Sequence, residues 1–136
     1  MSQEQALTGV RILDFSQVLA GPFATQQLAQ LGAQVIKIEQ PVGGDMTRGL
    51  MSSSSDGMAP SFLSANLGKR SLALDLKNPD AREIVHKLVV QADVVVENFK
   101  PGTIERLGYG YEALRAIKPD LVYASISGFG QTGPRA

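Results

Sequence analysis

Apolar and polar positions along this chain switch between two periods. A short apolar run (Ile12, Leu13, Phe15) breaks at Gly21-Pro22, and Ala20, Ala24, Leu28 and Leu31 then recur at helical steps. Pro22 suits a first helical turn, because its ring fixes a helical φ and its missing N–H has no intrahelical partner there. Gly32 is placed to end the helix, and Val35-Ile36-Lys37-Ile38-Glu39 reads as a second strand. Strand, tight turn, helix and strand within about 29 residues predict a βαβ unit with parallel strands. Ligands of such sheets bind beyond the carboxyl ends of the strands, which singles out Ser16 to Gly21 and Glu39 onward.

The alternation continues. Pro41 to Pro60 has no periodicity; Gly43 to Arg48 reads as a functional loop at a strand end, and Ser52 to Ser55 as a mobile one. Ser61 to Asn66 predicts a short helix and Ser71 to Leu76 a third strand. Asn78-Pro79-Asp80 supplies an N-cap, a first-turn proline and an acidic residue at the positive end of a helix dipole. The packing face of that helix is predicted as Ala81, Ile84, Val85 and Leu88, with the lone histidine, His86, pointing away into solvent. Val94 to Val96 is a fourth strand, β-branched throughout as a strand buried on both faces is. A polar turn from Glu97 to Gly102, short helices at about 103–108 and 111–117, and a fifth strand from Leu121 to Ile126 complete the pattern. Five strands alternating with helices predict an α/β fold, a Rossmann-like doubly wound parallel sheet in the order 3-2-1-4-5. Residues 1–8 read as a flexible lead-in, and no helix follows to cover the last strand.

Composition narrows the function classes. With 43% hydrophobic residues among 136, the chain can bury a core, and 13 basic residues balance 13 acidic ones. That balance gives no electrostatic reason to capture nucleic acid or an anionic membrane. The lack of cysteine excludes disulfides and thiolate metal sites and fits a cytoplasmic protein. The polar opening MSQEQALTG resembles neither a signal peptide nor a membrane span.

A dinucleotide site needs Gly-x-Gly-x-x-Gly at the first strand-to-helix turn and an acidic residue after the second strand. Glu39 meets the second condition, but the first turn offers one glycine followed by proline; Gly128, Gly130 and Gly133 have the spacing only after the last strand. Arg48, Lys69, Arg70, Lys77, Lys100 and Arg106 lie near strand ends, as phosphate partners or as ordinary solvated charges. No Ser-His-Asp set, metal-spaced cluster or nucleophile elbow is present, so the residues by themselves reach an α/β ligand-binding domain.

Taken together, seven blocks resemble the class III CoA-transferase family, which includes formyl-CoA transferase, carnitine and bile-acid CoA-transferases and α-methylacyl-CoA racemases. They are G-V-R-I-L-D-F-S-x-V-L-A-G-P (9–22), L-G-A-x-V-I-K-I-E (31–39), G-D-M-T-R (44–48), N-x-x-K-R-S-L-x-L-D-L-K (66–77), A-D-V-V-V-E-N-F-x-P-G (92–102), L-G-Y-G-Y-E-x-L (107–114) and P-x-L-V-Y-A-S-I-S-G-F-G-Q-T-G-P (119–134). The resemblance implies transfer of coenzyme A from an acyl-CoA to a carboxylic acid through an aspartyl covalent intermediate. It also implies that residues 9–136 are the CoA-binding N-terminal portion of a larger domain, that a small domain is absent, and that the whole enzyme is an interlocked homodimer. CoA enters as substrate, with no permanently bound cofactor and no metal.

Carried over by motif, Gln17, Val18, Leu19 and Ala20 line the turn near the thioester and pantetheine, while Gln40, Leu74, Lys77, Asn98, Phe99 and Arg106 neighbour the adenosine and phosphates. In formyl-CoA transferase the position of Leu19 is a glutamine that helps bind the acyl group, so formyl transfer itself is not implied. The resemblance implies a catalytic aspartate in a later segment, past Ala136; none of Asp14, Asp45, Asp75 or Asp93 matches the nucleophile's motif, so no catalytic residue is assigned in this chain. A racemase-type CoA-ester isomerase and an inactive CoA-binding or interaction fragment stay open as alternatives.

Overall fold

The innermost ladder joins β1 (Arg11–Asp14) to β2 (Gln34–Glu39), parallel, with Ile12 opposite Val35 and Asp14 opposite Lys37. The computed structural model describes residues 5–50 and 58–136. On the far side of β2 lies β3 (Arg70–Ala73); on the far side of β1 lie β4 (Val94–Glu97) and then β5 (Val122–Ser125), every pairing parallel. The order is therefore β3-β2-β1-β4-β5, as the alternation of elements predicts. The direction of winding reverses between β1 and β4, and their carboxyl ends open the crevice where such sheets take ligands.

The sheet's two faces differ in chemistry. On one, Leu13, Phe15, Ile38 and Val95 pack with Val85 and Val89 of α3 (Pro79–Gln91) and with Leu114 of α5 (Tyr111–Ile117). Ile104 of α4 (Thr103–Arg106) and Tyr109 close the same cluster. On the other, a smaller cluster of Ile12, Ala33, Val35 and Val96 is joined by Leu28 of α1 (Ala20–Gln30). There α1 packs beside α2 (Pro60–Asn66). No helix among the described residues is long and apolar enough to cross a membrane.

Several local expectations change. The buried side of α1 is Gly21, Pro22, Thr25 and Gln26, while Leu31 is half exposed and Ala20 and Ala24 face solvent. The reason is polar: Thr25 is drawn inward to hydrogen-bond the buried Asp14 carboxylate. On α3, Ile84 is exposed and Val89 takes its place in the core beside Ala81 and Val85. His86 keeps to the outer side of that helix but is partly covered, beside Arg82 and Lys87. β3 stops at Ala73 because Asp75 turns the chain, accepting from the Lys77 N–H at 3.0 Å. Within the loop after β2, Met46–Gly49 forms a 3-10 turn capped by Asp45; the serine run falls outside the described residues. In the lead-in, Leu7 N–H donates to the Leu31 carbonyl at 2.9 Å, tying Gln5 to Gly9 to the end of α1.

Gly21 lets α1 lie hard against the turn that follows β1, since a methyl group on its α-carbon would overlap Ser16 Cβ and Oγ. Gly21→Ala is therefore expected to destabilise the protein by roughly 1–3 kcal/mol, the usual cost of overpacking. It should lower the urea midpoint at unchanged m-value; an unchanged midpoint would show that α1 can back away from β1 freely.

Candidate functional site

The turn from Ser16 to Ala20 leaves β1 at the reversal point and is held on every side. Asn98, just past β4, grips Gln17 at two atoms: its Oδ1 accepts from the Gln17 N–H and its Nδ2 donates to the Gln17 carbonyl, each at 2.8 Å. Lys37 Nζ donates to the Ser16 carbonyl at 2.7 Å and pairs with Asp45 at 2.9 Å. Asp45 in turn accepts from the Val18 N–H at 3.2 Å. Val18 lies at φ 67°, a left-handed conformation that β-branched residues seldom adopt and that persists only where the surroundings impose it.

Two further ion pairs flank this turn. Asp14, fully buried, accepts from Lys69 at 2.9 Å, Thr25 at 2.6 Å, the Ser16 N–H at 2.9 Å and the Ser16 hydroxyl. Lys69 also donates to the Pro22 carbonyl and Asn66, so all three of its protons are satisfied. Glu39 takes a two-point fork from Arg48, with both N–O distances 2.7 Å, and accepts from Ser71 and the Asp45 N–H.

The carboxyl groups respond accordingly. Burial by itself would raise the pKa of Glu39, but hydrogen bonds from Arg48, Ser71 and the Asp45 N–H, with the charge of Arg48, pull it down to about 2. Asp45 is likewise held below the usual carboxylate range: burial opposes, and Lys37 and Thr47 prevail. Lys69 is kept below the ordinary lysine range by burial, which Asp14 only partly offsets. Glu39 is thus consumed in structure rather than presented to a ribose.

Beyond the strand ends a cleft of about 450 Å³ runs along the sheet edge. Of the residues singled out by sequence, Gln17, Gln40, Leu74, Lys77 and Phe99 line it, with Ile38 and Leu76 adding apolar wall. A second cleft of about 320 Å³ continues from it, sharing Leu76, Lys77 and Leu107, and holds Arg106. Val18, Leu19 and Ala20 lie on the exposed side of the turn and line neither cleft. Asn98 lines neither, its amide being committed to Gln17.

The cations near strand ends sort into distinct roles. Arg48 and Lys69 are structural ion-pair partners, Arg48 also lying 3.7 Å over the Phe62 ring. Arg70 borders a hollow of about 520 Å³ at the amino edge, where β2 begins before β3 and leaves Gln34 and Val35 with no partner on the β3 side. That hollow is on the edge opposite the reversal point and, of the site residues singled out by sequence, is lined by Arg70 but by none of those carried over by motif. Lys77 and Arg106 face the clefts. Sequence reasoning passed over Arg82, which also lines the second cleft, and the whole buried network; Lys37 on a central strand was its visible signal. Among the described residues no cluster of metal-ligating side chains occurs. Gly128, Gly130 and Gly133 lie in irregular chain with open space around them and frame no phosphate turn.

Comparison with known proteins gives one consistent result. The sequence model of the family described as CoA-transferase family III matches residues 7–136. An acyl-CoA transferase of Fusarium pseudograminearum is 46% identical over 98% of this chain and 31% of its own length. Succinate–glutarate CoA-transferase of Agrobacterium fabrum is 45% identical over 99% of this chain and 35% of its own. Formyl-CoA:oxalate CoA-transferase of Bradyrhizobium diazoefficiens is 48% identical over 93% of this chain and 30% of its own. The chain therefore spans about a third of the length of the curated relatives it matches. Among solved structures, a CAIB/BAIF family protein from Brucella suis superposes with a TM-score of 0.89 at 44% identity, covering 97% of this chain and 36% of that one. Rv3272 from Mycobacterium tuberculosis superposes at 0.87 and 42%, covering 96% and 37%.

Asp45→Asn preserves shape but leaves the Lys37 ammonium buried without its counter-charge, so a loss of about 3–5 kcal/mol in urea unfolding is expected; a loss within experimental error would mean that water reaches Lys37. For Glu39 the sign follows from its lowered pKa: between pH 4.5 and about 2 the unfolded chain binds more protons, and stability drains away as pH falls through that window. The stability gap between wild type and Glu39→Gln should accordingly be wide at roughly pH 6 and shrink at roughly pH 3. A gap independent of pH would contradict the assigned hydrogen bonds.

Proposed function

This chain belongs to CoA-transferase family III, and from that premise we propose that it forms the CoA-binding platform of an enzyme moving coenzyme A from an acyl-CoA to a free carboxylic acid. The observation that carries the reading is the continuous groove at the carboxyl edge of the sheet. It begins at Gln17 beside the rigid turn, passes the apolar walls of Ile38, Leu74 and Phe99, and ends at Lys77 and Arg106. A ligand with a reactive thiol, a flexible arm and a phosphorylated head has that same sequence of chemistries. The name of the Bradyrhizobium relative, which pairs a CoA thioester with an acid, supports the same donor and acceptor classes, and that of the Agrobacterium relative pairs two acids.

In this mechanism an aspartate carboxylate attacks the thioester carbonyl and expels the CoA thiolate, leaving a mixed anhydride. The thiolate then attacks the aspartyl carbonyl, releases the first acid and leaves an aspartyl-CoA thioester, on which the acceptor carboxylate repeats the sequence in reverse. Asp14 and Asp45 are locked in buried pairs, Asp93 receives the Arg11 N–H at the amino edge, and Asp75, which lines the first cleft, accepts from the Lys77 N–H and matches no nucleophile motif. We therefore assign the nucleophile to polypeptide outside these 136 residues, with residues 9–136 as the CoA-binding part and the whole enzyme an interlocked dimer.

Calorimetric titration with CoA tests the platform. Lys77→Ala and Arg106→Ala should each weaken binding by roughly tenfold or more, the scale of a hydrogen bond to a charged group. No measurable CoA binding, or binding indifferent to both substitutions, would overturn the reading. The 136-residue chain should show no transfer between an acyl-CoA and an acid, and measured turnover would remove the external nucleophile.

A further inference from the structure

The second cleft carries more positive charge than a diphosphate at its mouth requires. Lys77 lines both clefts and so stands at their junction, whereas Arg82 and Arg106 line only the outer one. If the thiol end of CoA lies at Gln17, its diphosphate arrives at Lys77, and the ribose with its 3′-phosphate falls into the outer cleft. This step rests on the reading above. A phosphomonoester carries a charge of about −1.5 to −2 at neutral pH and is best met by more than one cation.

We propose that Arg82, together with Arg106, binds the 3′-phosphate of CoA and makes the site select CoA over its 3′-dephospho form. The two guanidinium groups reach the cleft from different helices, α3 and α4. The rest of its lining is Asn78, Pro79, Tyr109 and two leucines, with no carboxylate. Among the described residues neither arginine is paired with a carboxylate; Arg106 donates instead to the Thr103 hydroxyl at 3.0 Å.

Arg82 also lies against the chain between α4 and α5. Its Nη2 lies where a side chain on Gly108 would come within 2.8 Å, so the guanidinium rests against the bare α-carbon of the α4–α5 turn. Its charge reaches the Tyr109 hydroxyl, whose pKa burial raises and Arg82 opposes. An arginine fork fits phosphate oxygens at two points, which a lysine cannot do.

The experiment is titration of the full chain with CoA and with 3′-dephospho-CoA, for wild type, Arg82→Gln, Arg82→Lys and Lys87→Gln. Lys87 is a charge control on the same helix, paired with Glu83 at 2.6 Å and outside the cleft. Wild type should prefer CoA by roughly tenfold or more, and Arg82→Gln should lose most of that preference while binding dephospho-CoA within about twofold of wild type. Arg82→Lys should keep part of the preference and Lys87→Gln all of it. The ratio of the two affinities on one variant is independent of how much of that variant is folded. Equal binding of both ligands by wild type, or an unchanged ratio in Arg82→Gln, would overturn the assignment of Arg82 while leaving the CoA platform standing. Failure of wild type to bind either ligand would remove the platform, and this inference with it.

Discussion

A lysine ammonium almost wholly removed from water has to find its charge and hydrogen-bond partners within the protein, and Lys37, 1% exposed, finds them in Asp45 and the Ser16 carbonyl. Burying such a pair is costly, and its net contribution to stability is small compared with an apolar replacement. What it does achieve is geometry. The same carboxylate that balances Lys37 accepts from the Val18 N–H, and the same ammonium fixes the carbonyl two residues earlier. The turn between them therefore holds a left-handed valine that would relax in a freer loop. Asn98 completes the constraint from the neighbouring strand, so the segment at the reversal point is rigid although its side chains at Val18 and Leu19 are open to solvent.

This division extends through the molecule. The face of the sheet covered by α3 and α5 is an apolar cluster built on Phe15, Val85, Val95, Tyr109 and Leu114, and supplies most of the burial. The face under α1 carries charge instead, because Asp14, Lys37 and Glu39 alternate with the apolar residues of β1 and β2. Each of those charges ties a loop to the sheet: Asp14 reaches Lys69 before β3, Lys37 reaches Asp45, and Glu39 reaches Arg48. One face makes the fold stable and the other places its loops.

That asymmetry also explains what sequence could and could not reveal. Strand order and the bounds of α5 were legible, because they follow from alternation, proline stops and parallel-sheet topology. The buried face of α1 was not, since counting apolar residues at helical spacing ignores a buried carboxylate that recruits Thr25. Lys37 and Asp14 could have been flagged as charges on central strands in need of partners, although their partners, 8 and 55 residues away, could not. Asn98 stood within a motif that implied ligand contact, yet its side chain acts on Gln17, and Arg82 carried no signal beyond being one more charge on an amphipathic helix.

The first turn lacks what a dinucleotide site needs. There, a glycine-rich β1–α1 turn lets the backbone approach a pyrophosphate at the helix start. Here the single glycine of that turn, Gly21, is used to bring α1 onto Ser16, and Pro22 removes a donor from the same place. That turn offers no glycine-lined approach for a pyrophosphate, and positive charge lies instead along the outer cleft, on Lys77, Arg82 and Arg106. In the proposed binding mode the ligand is accordingly reversed, with its reactive end at the rigid first turn and its phosphates on side-chain cations. Chemistry at a thioester needs a fixed backbone more than its distant phosphates do, and in that mode the reactive end meets a turn held by Lys37, Asp45 and Asn98.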